Sequence, residues 1–174
     1  MRSNNTPDLT SQQNVAKNGN SDRDKSPPRR SKSAEEIADA YAGVADKLAR
    51  WRELDRLFAG RYRRRQFENV DGRVLDVACG TGRNFRYLLE SSEVIGIDIS
   101  GEMLTHARTE LSRLNLDGTV HQMDAQALEF PDDSFDTVIS SFSTCTFPDP
   151  IAALNEIERV CTSNGKIRLL EHRR

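Results

Sequence analysis

Three cysteines are all that the 174-residue chain holds, and none sits in a CxxC pair or beside a histidine at metal-ligand spacing. Cys79, Cys145 and Cys161 therefore read as reduced thiols of a cytoplasmic protein, and neither a disulfide framework nor a zinc site is expected. No apolar run approaches the roughly 20 residues that cross a bilayer. No apolar stretch follows Arg2, so a secretory signal is not expected. Internal repeats are absent as well. Charge of one sign is also missing overall, with 25 Lys/Arg against 27 Asp/Glu, but the balance is uneven. Residues 1–33 carry seven basic side chains against three Asp, which leaves 18 against 24 for the remainder. A mildly acidic folded part argues against a broad nucleic-acid footprint.

What is present falls into three parts. Residues 1–33 are rich in Ser, Asn, Pro and charge. Such a stretch cannot bury enough apolar area to offset its ordering entropy, so it is predicted to be a disordered tail. Residues 34–70 read as a helical segment. Ser33 and Glu36 have the spacing of a capping box, and Ile37, Tyr41, Val44, Leu48 and Trp51 recur at steps of three and four along one helix face. A second helix is expected to bury Leu54, Leu57, Phe58, Tyr62 and Phe67. Between these apolar positions lies the basic run Arg61, Arg63, Arg64 and Arg65. It reads as a solvated helix face, with a phosphate contact or weak membrane-surface contact as alternatives.

From Asp71 the texture changes to alternating strands and helices. Strands are predicted at 73–78, 93–98, 119–123, 135–140 and 166–170. Helices are predicted at 84–90, 101–115 and 151–160. Near-continuous apolar strands separated by helices indicate a parallel sheet covered on both faces. Right-handed crossovers then give an α/β, Rossmann-like doubly wound sheet of strand order 3-2-1-4-5, spanning residues 71–174.

The chemistry concentrates in Val74–Asn84, read as VLDVACGTGRN. A strand ends in a glycine turn, and the two glycines let the backbone approach a ligand closely. NAD-binding folds place GxGxxG at the same point, but Phe85 stands here in place of their third glycine. Asp76 lies within the strand end, which suits a ligand with a cationic amino group better than a pyrophosphate. Asp98 ends the second strand, where a carboxylate can accept from both ribose hydroxyls of a nucleoside. Ser100 is expected to cap the following helix and so leave Asp98 to the ligand. Asp124 follows the third strand and can accept from an adenine amine, with Met123 and Ile99 against the ring faces. Its alternative is a turn residue.

VLDVACGTGRN, VIGIDIS, MDAQALEFPDDSFDTVIS and SNGKIRLLEH together resemble, in order, the motifs of class I S-adenosylmethionine-dependent methyltransferases. The resemblance is to the type-11 methyltransferase domain, which includes small-molecule enzymes of quinone biosynthesis, and covers about residues 70–172. It implies S-adenosylmethionine as cofactor. Asp76, Ala78, Gly80 and Gly82 would lie along its methionine part, with Cys79 and Asn84 completing the segment, and Asp98 would hold its ribose. Ile99 and Met103 would flank the adenine, Asp124 and Ala125 would read its edge, and Ser140 would close the pocket. Ala78 departs from the family's usual first glycine, a change that suits a negative φ. Leu48 and Ala49 replace an upstream Tyr-Asp pair, which removes one cofactor contact. Family members usually continue past the fifth strand with a helix and an antiparallel strand pair, which are missing here, so an exposed sheet edge is expected.

The implied reaction is an in-line displacement, in which alignment of the reacting atoms is the main requirement. Glu171 and His172, at the end of the fifth strand, are the candidate catalytic bases, needed only where an acceptor must lose a proton. An Asn/Asp-Pro-Pro-Tyr motif is absent, which argues against methylation of exocyclic base nitrogens, and the expected acceptor is a small molecule, quinone- or lipid-like. Three other readings stand beside this one: a truncated binding module without catalysis, an RNA methyltransferase, and an NAD-dependent oxidoreductase, the last opposed by Phe85 and by the lack of a Tyr-x-x-x-Lys pair.

Overall fold

The computed structural model describes residues 32–50, 58–90 and 92–172. The predicted tail up to residue 31 and the predicted apolar positions Trp51, Leu54 and Leu57 lie outside them. Five strands, β1 (Arg73–Val77), β2 (Glu93–Asp98), β3 (Gly118–Gln122), β4 (Phe135–Ser141) and β5 (Cys161–Leu170), form one sheet of order β3-β2-β1-β4-β5. Every pairing is parallel. This is the predicted topology, and its cause is visible in the alternation of side chains across the strands. Val74, Val94, Val120 and Ile139 point to one face, where they meet Phe67, Phe85 and Leu104. Leu75, Val77, Ile95, Ile97 and Val138 point to the other, against Ala153, Ile157 and Val160. Each fully buried aliphatic side chain of this kind contributes roughly 1.5–3 kcal/mol.

Helices α3 (Gly60–Phe67), α4 (Gly101–Leu114) and α5 (Pro150–Val160) cover the sheet, and α1 (Ala34–Ala42) and α2 (Ala45–Arg50) pack against α4. The capping box is formed: Glu36 N–H donates to Ser33 Oγ at 3.2 Å, and Ser33 N–H donates to Glu36 Oε2 at 2.8 Å. The continuous apolar face expected from Ile37 onward is broken at Gly43–Val44, and Val44 is exposed.

The structure corrects two further expectations. The helix predicted at 84–90 is a single 3-10 turn, Phe85–Tyr87, in which Tyr87 and Leu88 N–H donate to carbonyls three residues back. Asn84 and Phe85 are both buried. Asn84 stands at the start of the turn as its cap residue, where Asp76 and Arg63 hold its side chain inward. In α3 the buried positions are Gly60, Arg63 and Phe67, whereas Phe58 and Tyr62 are 77% and 48% exposed. The helix is rotated by its arginine: Arg63 reaches inward to Asn84 and Ser141. Of the basic run, only Arg61, Arg64 and Arg65 remain on the surface.

β5 begins five residues earlier than predicted. Cys161 stands opposite Phe135 and Lys166 opposite Thr137, so residues 162–165 bulge out of register. Among the described residues no helix is long and apolar enough to cross a membrane.

Candidate active site

The carboxyl ends of β1, β2 and β4 open onto a cavity of about 450 Å³. Its floor is the turn after β1. Ala78, Gly80 and Gly82 all have positive φ, at 55°, 56° and 77°. The negative φ expected of Ala78 is thus overturned. A left-handed alanine costs about 1–2 kcal/mol, and it is held there because Cys79 N–H donates to Ile97 O at 2.8 Å across the sheet. A Cβ on Gly80 would meet nothing within 4 Å, so this glycine leaves open space.

Asp98 ties the floor to the second strand. Its Oδ2 accepts from Gly80 N–H at 2.8 Å and its Oδ1 from Ser100 N–H at 2.9 Å. Ser100 does cap α4, accepting from Met103 N–H at 3.3 Å, but Asp98 is not left wholly to a ligand. Each oxygen keeps a second lone pair for a further donor. Burial holds this carboxyl above its usual range, against the pull of the backbone N–H groups of Ser100 and Gly80.

Of the residues assigned from the sequence, Ala78, Cys79, Gly80, Asp98, Ile99, Met103, Met123, Asp124 and Ala125 line this one cavity. Asp124 is also a turn residue: its oxygens accept from the N–H and Nε2 of Gln126 at 2.9–3.0 Å.

Asp76, Gly82, Asn84 and Ser140 stand behind the wall, which corrects their expected place against a ligand. Asp76 is completely buried and accepts from Asn84 Nδ2 at 2.9 and 3.1 Å. Asn84 Oδ1 in turn accepts from Arg63 and from Ser141 Oγ. Burial raises the Asp76 carboxyl to about 7, opposed by the Asn84 bond and the Arg63 charge. Ser140 Oγ donates to Val77 O at 2.8 Å and so knots β4 to β1. Gly82 serves packing. A Cβ there would lie 2.7 Å from the Phe85 ring and 3.3 Å from Ala107 Cα, so the ring fills the space that a third glycine leaves in a dinucleotide fold.

Glu171 and His172 separate. Glu171 Oε1 accepts from Ser143 and Thr144 N–H at 3.2 and 3.1 Å, bracing the turn after β4, and it does not line the cavity. His172 does line it, stacked on Phe142 with ring centroids 4.4 Å apart. Phe142 is itself left-handed, φ 57°, and receives Arg63 on its ring at 5.0 Å.

Sequence reasoning missed two residues. Arg63 was one of a basic run, and only the spacing Gly60-Arg63-Phe67 hinted at its burial. Tyr41 was assigned to a helix core, yet it borders the cavity. Burial and the nearby Cys145 and Asp98 push its phenol upward.

Residues 75–169, more than half of the chain, match the methyltransferase-domain family. The chain belongs to this family. The resemblance read from the four motifs is thereby borne out, and the family's methyl donor is S-adenosylmethionine. A phosphatidylethanolamine N-methyltransferase of Cereibacter sphaeroides is 38% identical over 63% of this chain and 57% of its own. A ubiquinone/menaquinone biosynthesis C-methyltransferase UbiE of Shewanella sp. (strain ANA-3) is 34% identical over 80% of this chain and 60% of its own. The solved structure of YcgJ from Bacillus subtilis aligns with a TM-score of 0.58 at 29% identity, covering 65% of this chain and 49% of that one. The chain thus spans under two thirds of the length of these relatives.

In this methyltransferase domain the two glycines of the turn have separate tasks, and substitution tells them apart. Gly82→Ala is expected to lose about 3 kcal/mol in urea unfolding, from the left-handed backbone plus overpacking on Phe85. Gly80→Ala is expected to lose only about 1–2 kcal/mol, the backbone cost alone. Equal losses would contradict the packing role of Gly82.

Proposed function

We propose that this domain binds S-adenosylmethionine in the 450 Å³ cavity and transfers its methyl group to a small-molecule acceptor. The observation that carries the reading is the meeting of Gly80 N–H and Asp98 on the floor of a cavity whose walls include Ile99, Met103 and Asp124. The donor set suits the ligand. The free lone pairs of Asp98 accept ribose hydroxyls, Ile99 and Met103 offer apolar contact to adenine, and Asp124 with Ala125 faces its polar edge. The open space above Gly80 admits the methionine part along Ala78–Gly80. The volume lies within the range of about 300–1,000 Å³ usual for small-ligand sites.

When bound, the cofactor supplies a methyl group already activated on a sulfonium. An acceptor that carries a proton would have to release it to a neighbouring base. The protein's contribution is alignment and exclusion of water. His172, on the cavity wall, is the group placed to take an acceptor proton. Glu171 acts by holding the turn that carries Phe142.

The names of the relatives point to apolar acceptors: a phospholipid for one, quinone precursors for the other. A lipid- or quinone-like acceptor suits the exposed face of α3, where Tyr62 stands with Arg61, Arg64 and Arg65, no acidic residue lies in the helix, and the exposed Phe58 precedes it. Such a face favours adsorption to an anionic membrane surface.

Two measurements test these readings. Calorimetry should give S-adenosylhomocysteine a micromolar dissociation constant, weakened about 100-fold in Asp98→Ala by loss of two hydrogen bonds to a charged group. Unchanged affinity would refute the ribose assignment. On vesicles containing phosphatidylglycerol, the wild-type chain should co-sediment and the Arg61, Arg64, Arg65→Ser variant should stay in solution. Equal sedimentation would rule out the basic face as the contact.

A further inference from the structure

The cavity at the carboxyl end of the sheet is lined by two carboxylates and two guanidinium groups, and the topology sorts them by sign. Asp98 ends β2 and Asp124 follows β3, so the acids lie toward the β3–β2 side. Arg83 follows the turn after β1, and Arg63 comes from α3, where it bonds to Ser141 at the end of β4. The arginines thus belong to the β1–β4 side. A donor whose ribose meets Asp98 and whose adenine lies toward Asp124 carries its methionine part across the turn after β1. That part ends in a carboxylate, which Asp98 and Asp124 repel. A carboxylate taken out of water needs a cation or several N–H donors.

The two arginines are not equivalent. Arg63 is buried, its Nη1 serves Asn84 and Ser141, and its guanidinium carbon lies 5.0 Å from the centre of the Phe142 ring. It belongs to the wall. Arg83 is half-buried and stands directly after the glycine turn. Its Nη2 donates to Leu48 O at 2.6 Å, one of the last carbonyls of α2. Leu48 lines the same cavity, so this bond sets the guanidinium at the rim between the turn and α2. A guanidinium carries five N–H donors in a planar fork and meets a carboxylate with two of them.

We infer that Arg83 holds the carboxylate of the donor's methionine part, so that ligand, glycine turn and α2 meet at one guanidinium. This assignment rests on the reading of the cavity as the S-adenosylmethionine site. Its consequence is selection: a neutral nucleoside that fills the Asp98 end lacks the group that Arg83 recognises and competes poorly with the full donor.

Calorimetry on the full chain with two ligands tests the assignment. One is S-adenosylhomocysteine. The other is its decarboxylated analogue, the aminopropyl thioether of the same nucleoside, which keeps the sulfur and the amine and lacks only the carboxylate. The wild-type chain should bind S-adenosylhomocysteine about 10- to 30-fold more tightly, the worth of hydrogen bonds between charged partners. Arg83→Met should weaken S-adenosylhomocysteine by about that factor and leave the analogue within about twofold, so the preference collapses. Arg83→Gln keeps an amide donor for the Leu48 carbonyl, which separates the charge from the tie to α2, and it should give the same collapse.

A wild-type chain that binds both ligands equally, or a preference that survives in Arg83→Gln, would overturn the inference. An equal loss for both ligands in the variants would overturn it too, because a guanidinium that only braces the turn and α2 weakens the nucleoside as much as the carboxylate. A chain that binds neither ligand removes the donor reading itself.

Discussion

A single carboxylate organises the ligand end of this fold. Asp98 sits at the last position of β2 and accepts one N–H from the glycine turn after β1 and another from the residue that caps α4. Three elements are thereby fixed to one another at the carboxyl edge of the sheet through two oxygens. The same oxygens stay open to a ligand on their remaining lone pairs. Burial makes the charged form of this group costly, and the two backbone donors offset part of that cost. Bonds of this charge-assisted kind are about twice as strong as neutral ones, so the turn conformation and the ionisation of Asp98 are coupled.

From the cavity wall inward runs a second polar assembly with a different task. Arg63, Asn84, Asp76 and Ser141 link α3, the glycine turn, β1 and β4 through side chains that are mostly buried. Removing one member of a buried set that contains charges leaves the others unpaired, and the cost is typically several kcal/mol. The set fixes the rotation of α3 about its own axis. That rotation turns Phe58, Arg61, Tyr62 and Arg64 outward and places Arg63 against Phe142 at the cavity edge. A helix that reads as basic throughout is therefore divided, with one arginine for the core and three for solvent.

The fold was legible because it rests on local patterns. Runs such as Val74–Leu75 and Val94–Ile97 put apolar side chains on both strand faces, as a covered parallel strand requires. The capping box at Ser33 and the cap at Ser100 are likewise local. The floor of the site was legible for the same reason: Gly80 and Asp98 fall at strand ends, and the topology brings strand ends together. What escaped depends on contacts far apart in sequence. Asp76 was read as facing a ligand, but Asn84 covers it, and the conformation that permits this depends on Phe85 seating against Gly82 and α4. Arg63 was indistinguishable from its neighbours until Asn84 and Ser141 were known to lie beneath it. Glu171 was read as chemistry by its position, and its partners proved to be two backbone amides of a turn.

The account turns on the bond between Asp98 and the glycine turn, and amide NMR across pH reads that bond directly. The Gly80 and Ser100 N–H resonances should shift together with a common midpoint above the ordinary aspartate value of about 3.9, because both donate to the same carboxylate whose ionisation burial delays. In Asp98→Asn both should lose the titration. Resonances that titrate independently, or with a midpoint at or below that value, would contradict the account.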